Sequence, residues 1–398
     1  MAATRTIVIA GAGIGGLTAA LALAAKGFRV VVLEKAGRLE EAGAGLQLSP
    51  NASRILIALG LQQRLAARAV APDAISIMSA RSGGEIARMP LGEAAALRAG
   101  APWWVLHRAD LQTALRAEVD DNPAIELRLG CQFEDVVTGA GGVTVIQRGG
   151  ANREQEPAVA LIGADGVWSA VRHRLFPHVQ PQFSGLIAWR GTFEASQLPR
   201  EQTSTRVQLW MGANAHLVAY PISGGSRINM VAIVPGTWNR PGWSADGDPL
   251  EIRDAFASRQ WQAPARMMIG AVASWRKWAL FTVSHSGNWS SGPVTLLGDA
   301  AHAMLPFAAQ GAGMAIEDAA VLAKCLAGSG DDAAIPAALA RYAALRRARV
   351  ARVQRMARLN GKIYHLSGAA AFARDLAIRT LGSERMMARQ AWIYDWRA

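Results

Sequence analysis

Cysteine is almost missing from this chain. Its two examples in 398 residues, Cys131 and Cys325, stand far apart and in no metal-ligand spacing. That argues against a disulfide framework and a zinc site, so no metal is expected and the cytoplasm is favoured. Long apolar runs are missing too: nothing approaches the roughly 18 residues a membrane-spanning helix needs. The N-terminus lacks the charged start, apolar block and cleavage site of a secretion signal and enters TIVIAG at residues 6–11 directly. Internal repeats and low-complexity tracts are absent. Acidic residues are the minority, 30 against 42 Lys and Arg, which leaves a formal charge of +12. Such a balance suits nucleic acid, an anionic surface or small anions. The densest basic run, seven arginines from Arg341 to Arg358, carries no aromatic interleaving or nucleic-acid motif, so a solvated or subunit-contact helix face is expected, and with it a possible homodimer. Leu345, Val353, Met356 and Leu359 are expected to form the apolar stripe of that helix.

What is present is a hydrophobic content of 51%, enough for a large core and two domains. Residues 6–34 read as a strand (Ile7–Ile9), a glycine turn, a helix (Leu17–Ala25) and a second strand (Val30–Leu33). The turn GAGIGG satisfies G-x-G-x-x-G through Gly11, Gly13 and Gly16, with Ile14 and Gly15 between. Those glycines serve a tight turn, close approach of backbone to a pyrophosphate, and close helix–strand packing. Glu34 ends the second strand, where a carboxylate accepts from ribose hydroxyls. One unit containing all these parts points to a dinucleotide with an unphosphorylated ribose.

Two later segments repeat the strand-to-glycine-turn design: GADGVWSAVR at 163–172, and GDAAHAMLPFAAQGAGMAIED at 298–318 after the apolar run VTLL. In the second, the N–H groups of Gly311, Ala312 and Gly313 open a helix and face an electron-rich ligand. Three such turns at one sheet edge would grip a long cofactor at several points. Elsewhere Arg54–Leu65 and His107–Val119 read as helices, and Ala74–Met89 reads as a hairpin around Ser82–Gly84. From Gln182 to His285 alternating strands rich in Trp, Val and Thr suggest an inserted antiparallel sheet. In HLVAYP at 216–221 a period of two sets His216, Val218 and Tyr220 on one face.

With these residues in hand the chain resembles, over essentially its whole length, the group A FAD-dependent aromatic hydroxylases, single-component flavoprotein monooxygenases. The three turns carry the resemblance. AGLQLSPNA (44–52), HRADL (107–111), AWRG (188–191) and HLVAYP carry a nearer one, to the salicylate, 3-hydroxybenzoate and 6-hydroxynicotinate hydroxylase branch. The resemblance implies an α/β fold: a Rossmann-like FAD-binding domain (1–180 and 286–360), an inserted antiparallel-sheet substrate domain (181–285) and a C-terminal helical tail (361–398).

It further implies FAD as cofactor, NADH or NADPH as transient electron donor, O2 and a small phenol-like aromatic acid as reactants, and hydroxylation through a flavin hydroperoxide. Gly11–Gly16 would hold the pyrophosphate, Glu34 and the adjoining Lys35 the adenosine end, and Gln47, Arg108, Gln112 and Asp299 the ribityl and phosphate region. Gly311–Gly313 would face the flavin pyrimidine, and Asp165 the FAD and the donor. Trp189, Met211, Pro306 and Phe307 would line the substrate site, with His216 as base or orienting group and Tyr220 to hydrogen-bond or relay. The chain departs from the family between Leu280 and Trp289, where an acidic-basic pair is common and FTVSHSG stands instead. A halogenase would need a W-x-W-x-I-P segment, which is absent. An NAD-dependent dehydrogenase leaves the turns at 163 and 298 unexplained. A flavin- or nucleotide-sensing binding protein with a basic helical surface for a partner is the non-enzymatic alternative.

Overall fold

A computed structural model describes residues 5–39, 45–139, 141–199, 205–258, 260–284 and 286–398. Residues 40–44 and His285 of the departing segment lie outside them. Among the described residues no helix is long and apolar enough to cross a membrane.

A six-stranded sheet is built on the three glycine turns. Its order is Ser290–Ser291, Val294–Leu296, Ala160–Gly163, Thr6–Ala10, Arg29–Glu34 and Ile125–Leu129, parallel except at the first pair. Ile7, Val8, Ile9, Val30, Val31, Val32, Leu161 and Ile162 are fully buried. They read as continuous apolar runs because a parallel sheet is covered on both faces, and each contributes about 1.5–3 kcal/mol by burial. Thr6–Ala10, Ala160–Gly163 and Val294–Leu296 are parallel neighbours, so their turns leave from one carboxyl edge. The ladder runs on into those turns: Ala164 N donates to Ala10 O (2.8 Å) and Leu297 N to Gly163 O (2.9 Å).

The second large sheet has eight strands. Gln182–Glu194, Val207–Gly212, Ala215–Ile222, Arg227–Pro235, Ser244–Gly247 and Trp275–Thr282 come from the expected insertion, and Ala74–Ser79 and Glu85–Pro90 come from the hairpin far upstream. Ala74–Ser79 joins by pairing parallel with Val207–Gly212. A small antiparallel pair, Gly45–Leu48 with Trp104–His107, packs against Ala215–Ile222 of this sheet and against the helix Gly311–Ala327. The helix expected over Arg54–Leu65 is in fact two, Pro50–Ala58 and Gln62–Ala66, because Gly60 sits between them at φ +91°, where helical continuation is lost.

The C-terminal region is helical as Ile335–Tyr364, Gly368–Leu381 and Ser383–Tyr394. The face of Ile335–Tyr364 that packs inward differs from the expected stripe. Leu345 and Leu359 are more than half exposed, whereas Tyr342, Arg346, Val350, Val353 and Ala357 are buried. Nor are its arginines all solvated. Arg346 is 1% exposed because it meets two buried carboxylates on Gly311–Ala327, Asp318 Oδ1 and Glu317 Oε2, each at 2.7 Å.

Candidate active site

The three turns and the eight-stranded sheet enclose one cavity of about 1200 Å³. Gly13, Ile14 and Gly15 line it, together with Ala164, Gly166, Leu297, Gly298 and Asp299. A volume of this size exceeds an ordinary small-molecule pocket and admits a dinucleotide with a second, small ligand. The helix Ile14–Ala24 begins at Gly13 with no side-chain cap and no acidic residue in its first turn, so its free N–H groups form an anion cradle. Arg108 lines the same cavity.

The glycines are dictated by distance. A Cβ on Gly16 would lie 1.9 Å from Gly11 O, and one on Gly15 would lie 2.8 Å from Leu297 Cδ2. Gly11 combines φ +105° with a Cβ position 2.5 Å from Ala164 O. Gly11 and Gly16 therefore shape the turn from behind rather than line the cavity.

Glu34 and Gln112 also stand behind it. Glu34 Oε2 accepts from Ala12 N (2.9 Å) and Oε1 from Ala36 N (3.0 Å), while Gln112 Nε2 donates to Ala12 O (3.3 Å). Lys35 is exposed beside them. Asp165 is likewise turned away, its Oδ2 accepting from Ala170 N (2.7 Å) and Val171 N (3.1 Å). Burial pushes its carboxyl above the ordinary aspartate range despite the Ser169 and backbone donors. Its Oδ1 is buried with no partner among the described residues. The cradle of free N–H groups fits a ligand that carries phosphates.

The far wall of the cavity is the sheet. Val207, Leu209 and Met211 face it from one strand, and His216, Val218 and Tyr220 from the next, as a period of two requires. Pro306 and Phe307 close it from the turn Pro306–Ala308. Gln47, Gly311 and Ala312 also line it, while Gly313 packs behind against Gln310 and Asn51. Trp189 does not reach the cavity. It is 1% exposed on the opposite sheet face, stacked edge-on to Trp275, because alternation gives the cavity side to its neighbour Arg190.

Burial, reinforced by His365, holds the His216 imidazole well below its ordinary value of 6.5. Its Nδ1 meets His365 Nε2 at 2.7 Å, and Phe307 stands edge-on at 5.0 Å. Burial pushes the Tyr220 phenol upward against the pull of Arg190, so it stays an O–H at neutral pH. The Arg190 guanidinium lies 5.5 Å over Trp278 and its Nε has no hydrogen-bond partner among the described residues. Burial lowers its pKa, and the titratable neighbours acting on it are Tyr220 and Arg108 rather than a carboxylate.

A family model described as an FAD binding domain matches residues 4–357. The chain belongs to this family of FAD-dependent hydroxylases. The flavoprotein is 36% identical over 391 residues to a 3-hydroxybenzoate 6-hydroxylase of Polaromonas naphthalenivorans (strain CJ2), covering 98% of this chain and 96% of that one. It is 38% identical over 394 residues to a 3-amino-4-hydroxybenzoate 2-monooxygenase of Streptomyces platensis, with the same coverage, 98% and 96%. Among solved structures a salicylate hydroxylase substrate complex superposes with a TM-score of 0.83 at 25% identity, covering 100% of this chain and 97% of that one.

Arg190, Gln310 and His365 were not among the expected site residues. Arg190 sits inside the AWRG signature, and its parity opposite Trp189 was the available signal. Gln310 lines the cavity, donates to Ser49 Oγ (2.8 Å) and accepts from Asn51 Nδ2 (3.0 Å), and directly precedes the glycine-rich helix entry. His365 had no local signal.

Gly16→Ala in the flavoprotein is expected to lose about 1–3 kcal/mol of stability, since backbone rather than a mobile side chain occupies the Cβ position. Thermal denaturation and the flavin-to-protein absorbance ratio of the purified variant measure this. Unchanged values for both would remove the steric argument.

Proposed function

We propose that the flavoprotein hydroxylates a small phenol-like aromatic or heteroaromatic acid, with NADH or NADPH as electron donor and O2 as oxidant. The observation that carries this reading is the meeting, in one cavity, of a dinucleotide cradle with an apolar chamber whose only facing histidine among the described residues is a buried, neutral one. In this reading Gly13–Gly15 and Arg108 hold the FAD phosphates, Asp299 the ribityl chain, and the helix entry at Gly311 and Ala312 the pyrimidine edge. The bound flavin supplies hydride acceptance and oxygen activation.

The remaining work belongs to the chain's own residues. An electron-rich ring is needed for oxygen insertion, and a phenolate is far richer than a phenol. His216, kept neutral, accepts the phenolic proton at Nε2, the ring nitrogen that His365 leaves to the cavity. Tyr220 donates a hydrogen bond to the same oxygen. Arg190, a half-buried cation whose pKa no carboxylate among the described residues raises, offers the charge a carboxylate substituent needs. Met211, Leu209, Pro306 and Phe307 form an apolar wall that excludes water.

The test is direct. The purified yellow protein should oxidise NADH or NADPH faster when a hydroxybenzoate or hydroxynicotinate is added, with a matching hydroxylated product. Oxidation that no member of an aromatic-acid panel stimulates would overturn the reading.

A further inference from the structure

Resting on that reading, we propose that His365 is a positioning and relay residue: it takes from His216 Nδ1 the proton displaced when the substrate phenol ionises, and passes it out of the chamber. The geometry is specific. His216 Nδ1 and His365 Nε2 are 2.7 Å apart, with ring centroids at 5.0 Å. Two neutral imidazoles at that distance must share one proton, so one ring donates and the other accepts. For His216 Nε2 to be free for the substrate, its single proton sits on Nδ1 and points at His365.

Position fits the role. His216 is 2% exposed on the central strand Ala215–Ile222. His365 follows the last residue of Ile335–Tyr364, is only half-buried, and does not line the cavity. Its backbone is fixed from two sides: His365 O accepts from Asn214 N (3.1 Å) and His365 N donates to Gly361 O (3.3 Å). The groups around it do not compete for the proton. Tyr364 is a neutral phenol whose O–H donates to Phe307 O (3.3 Å), its pKa raised by burial. Arg374, from Gly368–Leu381, donates to Ile363 O and Tyr364 O and is paired with Asp375 at 2.7 Å. Phe307 supplies only its ring, 6.3 Å away.

The step balances. The substrate O–H proton passes to His216 Nε2, the Nδ1 proton of His216 passes to His365 Nε2, and His365 releases its Nδ1 proton to water, leaving phenolate and two neutral rings. On product release the Nε2 proton of His216 returns to the departing phenolate. His365 then hands its Nε2 proton back to His216 and regains one at Nδ1 from water. A low proton affinity at His216 makes this hand-off useful, since a proton left there would be poorly held.

The experiment compares wild type with His365→Gln and His365→Ala as FAD-loaded full chains. The probe is a hydroxynitrobenzoic acid, whose phenolate absorbs visibly on formation in stopped flow. With the relay, probe affinity changes little while phenolate formation slows by about tenfold or more in both variants. The slowed step, level with pH in wild type, rises with pH in both variants, Gln does not restore the rate despite keeping a hydrogen bond, and added imidazole partly rescues His365→Ala. Wild-type rates and pH profile in either variant, or full rescue by Gln, would overturn the relay and leave His365 a packing residue. Failure of the functional reading looks different: wild type itself would neither perturb its flavin spectrum nor ionise the probe, and the relay would fall with it.

Discussion

Arg346→Met is expected to destabilise the FAD-loaded enzyme by about 3–5 kcal/mol, the usual effect of removing one partner from a buried charge cluster. The guanidinium is held by Asp318 Oδ1 and Glu317 Oε2 at 2.7 Å each, with Trp396 at 5.1 Å over it. Without it two carboxylates on Gly311–Ala327, both fully buried, lose a cation that they share. Arg349 still reaches Glu317 at 2.6 Å, but nothing similar replaces the contact to Asp318.

The damage would spread to the cofactor turn. Asp318 Oδ2 accepts from Gly298 N (3.0 Å) and meets His302 Nε2 at 2.6 Å, so one carboxylate fixes the backbone beside Asp299. Burial raises the pKa of Asp318, but His302 and Arg346 outweigh it and bring the value down to about 2. A carboxylate depressed in the folded state contributes stability that is complete above its unfolded value near 3.9 and fades as pH falls toward 2. Wild type should show that acid-side loss, and Arg346→Met should keep only the part that His302 supplies. Urea denaturation from about pH 2 to 7 reads both. A variant within about 1 kcal/mol of wild type throughout would refute the account.

His216→Ala is expected to lower the rate of hydroxylation by about 10²–10⁴-fold, the range a positioned general base supplies. FAD content should not change, because His216 faces the sheet end of the cavity rather than the glycine turns. Consumption of the nicotinamide donor should continue with little product, since binding and ring ionisation are separate events. The pH profile carries the sharper information. Burial keeps the His216 imidazole unprotonated, so wild-type hydroxylation should stay level from about pH 6 to 9. In the variant the rate should rise with pH as solvent ionises the phenol instead. Single-turnover mixing with oxygenated buffer measures both, and equal rates in the two proteins across that range would remove His216 from the role.

The turns that frame the cavity were legible because their determinants are local, although Glu34, Gln112 and Asp165 stand behind it rather than in it. A G-x-G-x-x-G turn, an acid at a strand end and a glycine-rich helix entry each declare themselves within a few residues, and the parallel ladder then brings them to one edge. The His216, Val218 and Tyr220 face was legible for the same reason, through strand alternation. What escaped depends on pairing over long sequence distances. Nothing near His365 announces a histidine opposite it, and a helical arginine reads as solvated until a partner helix presents Glu317 and Asp318. Trp189 was misplaced for a different reason. Alternation says that Trp189 and Arg190 face opposite ways, yet only the packing of Trp275 on one side decides which face is the chamber.

Phe307 leaves one more consequence. Its ring rests where a side chain on Gly361 would begin, 2.6 Å from its Cδ2, and its carbonyl is tethered by Asn360 (3.0 Å) and Tyr364 (3.3 Å). The chamber's ceiling is thus moulded by the carboxyl-terminal helix and its floor by the inserted strands. Swapping strand residues alone to change which rings are accepted would redesign only half a mould, so altered selectivity has to be sought at positions 360–364 in concert with 209–220.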